Sequence, residues 1–95
     1  MLEDVIAYAD KSFTDALARL TGYLAYEAIS CEAEHAEDVH RLAQRIAEDL
    51  EKLGLEDVQV CELDGALPMV VASYMKAGPQ KPTVLIYGHL GLQPV

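Results

Sequence analysis

Phe13, Leu17, Leu20 and Leu24 recur at i, i+4, i+7 and i+11, and Ala16 and Tyr23 widen the stripe. That spacing is one face of a helix, and it predicts helix over residues 2 to about 28. Asp10 or Ser12 is placed to cap a break into a shorter first and a longer second helix. A connector follows over residues 29–33. Val39, Leu42, Ala43, Ile46, Leu50 and Leu53 then form a second apolar face, opposite Glu37, Asp38, Arg41, Arg45, Asp49 and Lys52. Glu37–Arg41 and Glu48–Lys52 are i, i+4 pairs in the favourable order. Gly54 stands where a glycine ends a helix, so this one is predicted over residues 35–53.

The period then changes from helical to alternating. Residues 58–63 (VQVCEL) read as a half-exposed strand, Asp64-Gly65 as a turn, and residues 69–75 (MVVASYM) as a second strand. Gly78, Pro79 and Pro82 mark a loop. Val84, Leu85, Ile86 and Tyr87 predict a third, buried strand over residues 83–87. The expected class is α/β, with two to three N-terminal helices followed by three strands. A strand so uniformly apolar wants cover on both faces and neighbours on both edges. Two other strands cannot supply that, so residues 1–95 are expected to be the incomplete start of a larger domain with a central sheet.

His89 follows that third strand after Gly88. A side chain just past the carboxyl end of a buried strand is where open α/β sheets place their chemistry. The string TVLIYGHLGLQPV resembles the first metal-binding segment of the dinuclear-zinc metallopeptidases, the family of cytosolic dipeptidases, carnosinases and acetylornithine deacetylase. There the segment reads as apolar residues followed by Tyr-Gly-His-x-Asp-x-Gln-Pro. YLAYEAISCEAEHAEDVHRLAQRIAEDLEKLGLEDVQV and the loop AGPQKPT are similar to the family's preceding helices, first strand and loop. The connector departs from it, since Tyr26-Glu27-Ala28-Ile29-Ser30 lacks the family's proline.

The resemblance implies the first part of a zinc-peptidase catalytic domain, hydrolysing dipeptides or small peptides with two zinc ions and a glutamate base. It makes His89 the one metal ligand in residues 1–95. It also makes Gly91 the position of a carboxylate that would hydrogen-bond the ligating imidazole. Losing such a partner costs about 10–100-fold in metal affinity or activity. No residue here matches the family's remaining ligands or its general base. No catalytic residue is therefore assigned, zinc is not expected to bind tightly, and the chain alone is expected to hydrolyse nothing.

Composition narrows the alternatives. Seven Lys and Arg against sixteen Asp and Glu give a net charge of −9, which excludes a nucleic-acid partner that needs clustered cations. No apolar run approaches the roughly 20 residues of a membrane span, and MLEDVIAYAD lacks the features of a signal peptide. With Cys31 and Cys61 read as free thiols, a cytoplasmic location is expected. Neither cysteine has the basic neighbour of a nucleophile. His35 and His40 lie at i, i+5, off a common helical face, and are expected to face solvent. Glu32, Glu34, Glu37 and Asp38 suit the positive end of a helix. Gly88 and Gly91 do not make a phosphate loop. The alternative to a hydrolase segment is a small non-catalytic module that self-associates, as a homo-oligomer, or binds a partner through its sheet edge.

Overall fold

In the computed structural model, which describes residues 1–94, the apolar face of helix α2 (Ala36–Leu53) closes the core. Val39, Leu42, Ala43 and Ala47 from that face are buried together with Ala28 of the connector. Tyr23, Tyr26, Ile46 and Leu90 pack around Ala28, Val39 and Leu42. Gly54 ends α2 at φ 100°, and its N–H and that of Leu55 donate to the carbonyls of Glu51 and Leu50. Glycine takes this left-handed conformation without a β-carbon penalty. A single 3-10 turn, Ala33–His35, leads into α2.

Helix α1 (Leu2–Leu24) is continuous. The Ser12 hydroxyl donates back to the Tyr8 carbonyl at 2.7 Å, so it supports the helix interior instead of capping a break. None of the residues of α1 is buried, and Phe13, Leu17, Leu20 and Leu24 present their stripe to solvent. Its link to α2 is polar. The Tyr23 hydroxyl donates to Asp49 Oδ2 at 2.7 Å, Arg45 Nε donates to the same oxygen at 3.2 Å, and the Arg45 guanidinium lies 5.8 Å from the Tyr23 ring centre.

Strands β1 (Glu56–Cys61) and β2 (Met69–Ser73) pair antiparallel, with Gln59 opposite Val71, Val60 opposite Val70 and Cys61 opposite Met69. Glu56 faces Ser73, so one extra residue is accommodated between Glu56 and Gln59. Asp57 takes φ 52° inside that irregularity, a conformation that Asp tolerates better than most residues. The turn between the strands is closed by Ala66 N–H donating to the Leu63 carbonyl, with Gly65 at φ 77°. α2 packs against both strands.

The α/β class holds, and the third strand does not form. Residues 83–87 run without strand pairing, and Val84, Leu85 and Ile86 are 81, 92 and 89% exposed. An apolar run becomes a strand only when an edge and cover are both at hand. α2 covers one face of a two-stranded hairpin, and Pro79 and Pro82 precede the run. The segment instead borders an open apolar groove with Leu50, Leu53, Leu55 and Val70. Val95, the last residue of the string that carries the family resemblance, lies outside the described residues.

Candidate functional site

The segment after Gly88 is tied to the connector. Leu92 N–H donates to the Ala28 carbonyl at 2.8 Å, and Leu92 forms a parallel bridge with Ile29. Leu90 packs on the core. These contacts fix the backbone on both sides of Gly91 and leave His89 exposed. The His89 ring meets Tyr87 edge-on, with ring centres 5.2 Å apart and planes at 77°. His89 thus follows an unpaired segment and does not stand at a strand end.

Gly91 sits at a close approach. A β-carbon there would stand 2.9 Å from Ser30 Oγ, 3.2 Å from Ser30 Cβ and 3.5 Å from the Ala28 carbonyl oxygen. The space of a carboxylate side chain at 91 is thus occupied by the connector. Among the described residues, neither group of three imidazole, thiol or carboxylate ligands close enough to share an ion includes His89. One exposed imidazole without an orienting carboxylate does not fit a two-zinc centre, which needs several protein ligands.

The better-built cluster lies elsewhere. His35 is not solvent-facing: its side chain is 19% exposed, and both ring nitrogens face carboxylates. Nδ1 lies 3.1 Å from Asp38 Oδ2 and 3.9 Å from Glu27 Oε2, and Nε2 lies 3.5 Å from Glu32 Oε2. The hydrogen bond with Asp38 raises the His35 pKa above that of a free imidazole; burial opposes the shift, and the charges of Glu32, Asp38 and Glu27 add to it. Asp38 is held below the usual carboxylate range by the same hydrogen bond and by Arg41, which grips its Oδ1. Sequence spacing pairs His35 with Asp38 at i, i+3. What it does not disclose is that the chain after α1 folds back and brings Glu27 to the same nitrogen.

His40 donates from Nδ1 to the Ala36 carbonyl at 2.8 Å and faces Glu62 with Nε2 at 3.2 Å, linking α2 to the β1–β2 connection. Cys31 and Cys61 are free and exposed. Among the described residues, no helix is long and apolar enough to cross a membrane.

No family model matches the chain, and no solved structure matches it. The Cys-Gly metallodipeptidase DUG1 of Saccharomyces cerevisiae is 31% identical over 87 residues, covering 81% of this chain and 18% of the yeast protein. The chain therefore spans less than a fifth of the length of that curated relative. At this coverage the chain is distantly and partially related to a metallopeptidase.

Proposed function

We propose that the chain is the N-terminal segment of a zinc-dependent, dipeptidase-like hydrolase of the cytoplasm, and that His89 is its first zinc ligand. The reading rests on the 31% identity to a Cys-Gly metallodipeptidase over most of this chain. The imidazole set directly after Tyr87-Gly88, in the string that resembles the family's metal-binding segment, adds to it. The whole hydrolase would take dipeptides or small peptides, and its metal ions would supply an activated water. Residues 1–94 contribute one ligand and no general base, so the chain by itself turns over no dipeptide. Its two exposed thiols suit a reducing compartment.

The coding DNA after codon 95 tests this reading. An open frame that supplies an Asp, a Glu-Glu pair and a distal His as ligands and base supports it. A stop codon there overturns it, as does chelator-sensitive dipeptide hydrolysis by the purified 95-residue chain for the claim of inactivity.

A second reading is favoured by the exposure of Val84, Leu85 and Ile86 beside a two-stranded sheet with two open edges. Unpaired apolar chain next to a free strand edge is a template for pairing with another copy. In this reading the chain is a non-catalytic module that forms homo-oligomers.

A further inference from the structure

We propose that Glu27, His35 and Asp38 form a divalent-cation site, suited to zinc, where the turn after α1 meets the start of α2. This site is separate from His89 and does not depend on the hydrolase reading.

One oxygen from each carboxylate and the imidazole nitrogen all lie within 4.8 Å of one another. Two of the separations are 3.1 and 3.9 Å, from His35 Nδ1 to Asp38 Oδ2 and to Glu27 Oε2. Tetrahedral zinc with bonds of about 2.0–2.2 Å holds its ligand atoms roughly 3.3–3.6 Å apart. The two separations from Nδ1 bracket that spacing, so small side-chain movements would bring these atoms onto one ion.

A neutral imidazole carries one N–H and one lone pair. With a metal on the Nδ1 lone pair, the ring N–H sits on Nε2, which faces Glu32 Oε2 at 3.5 Å. Zinc at Nδ1 would take the place of the proton hydrogen-bonded to Asp38 Oδ2 and would also meet Glu27 Oε2, 3.9 Å from that nitrogen. A carboxylate accepting from the far nitrogen of a ligating histidine is the usual outer support of a metal site. Glu32 takes that part. The rival occupant is a proton on Nδ1, shared with Asp38.

The surroundings agree. His35 and Asp38 are each 19% exposed in their side chains, which limits competition from water. Glu27 is 75% exposed and supplies a mobile third ligand. Arg41 occupies Asp38 Oδ1 and leaves Oδ2 for the ion. A surface cleft lined by Tyr26, Glu27, Asp38 and Arg41 opens beside the cluster, giving a fourth position access to water. With three protein ligands and one open position, the coordination is that of an exchangeable site.

Zinc titration of the 95-residue chain at pH 7.5 by calorimetry, with cobalt(II) absorption as a second reading of geometry, tests the proposal. One zinc binds per chain, and cobalt gives the intense visible bands of four-coordination. Replacing a ligand costs more than the ~10–100-fold of an outer partner, so His35→Gln weakens zinc by over about 100-fold. Glu27→Gln, at an exposed side chain that carries no fold, weakens it by at least about tenfold, and His89→Gln changes it less than about twofold. Circular dichroism of each variant separates lost binding from lost helix. No binding at millimolar zinc, unchanged binding in folded Glu27→Gln, or loss of binding in His89→Gln would each overturn the site. Failure at His35 leaves the reading of His89 untouched.

Discussion

Ser30 fills the space that a side chain on residue 91 would need, its hydroxyl oxygen 2.9 Å and its β-carbon 3.2 Å from where that side chain would begin. Gly91 is not at a positive φ among the glycines of this chain; it is a glycine of close approach, pinned by the Leu92–Ala28 hydrogen bond beside it. Restoring the carboxylate that the family resemblance expects therefore meets the connector. Gly91→Asp is expected to destabilise by about 1–3 kcal/mol, the usual cost of overpacking. Ser30→Gly clears both contacts, so the double variant should recover part of that loss. Chemical denaturation of the four proteins gives the coupling, expected at roughly 0.5 kcal/mol or more. A coupling of zero would mean that the two residues do not share this space.

The clamp between α1 and α2 is acid-sensitive. The Tyr23 hydrogen bond, with Arg45 beside it, holds the Asp49 carboxyl below its ordinary value of 3.8. A carboxyl whose folded pKa is depressed contributes stability above its unfolded pKa and loses it as pH falls through the folded one. Stability should thus fall below about pH 3.8, and Asp49→Asn should flatten that part of the pH profile. Melting curves of both proteins from pH 2 to 6 check this; parallel profiles would refute it.

Leu42 is the largest fully buried side chain, and it touches a core built from few residues. Leu42→Ala is expected to cost about 2–5 kcal/mol. With so little else buried, that should abolish the cooperative thermal transition of α2 and the hairpin, as followed by circular dichroism.

Much of this was legible in the sequence, and the failures share a cause. The α2 face, the Gly54 stop and the β1–β2 hairpin rest on local periodicity and turn chemistry, which the residues carry with them. The strand over residues 83–87 rests on partners that the chain must find elsewhere, and apolar content alone cannot supply an edge. Ser12 looks like a cap until its hydroxyl is seen to have a nearer acceptor one turn back. His35 looks solvated because Glu27, eight residues earlier, is brought to it by the connector and not by helical spacing. Pattern singles out both His89 and Gly91, while the approach of Ser30 to Gly91 is tertiary.

The self-association reading gives its own test. If residues 84–86 mediate pairing of copies, sedimentation velocity should show concentration-dependent oligomers. The charge of −9 on each copy opposes their approach, so assembly should strengthen with salt, which screens it. Leu85→Lys should return the chain to a monomer. A monomer at every concentration and ionic strength would remove this reading.

The absence of any buried residue in α1 has a thermodynamic consequence. Its amides from Leu2 to about Leu20 are guarded by helical hydrogen bonds alone, and a helix without packing is marginal in water. α1 can therefore open while Val39, Leu42 and Ala28 stay shut. Hydrogen exchange should divide the chain into two units, with α1 exchanging at a lower free energy than the middle of α2. A single melting temperature would then describe neither of them, and the enthalpy from the shape of the transition would fall short of the calorimetric one.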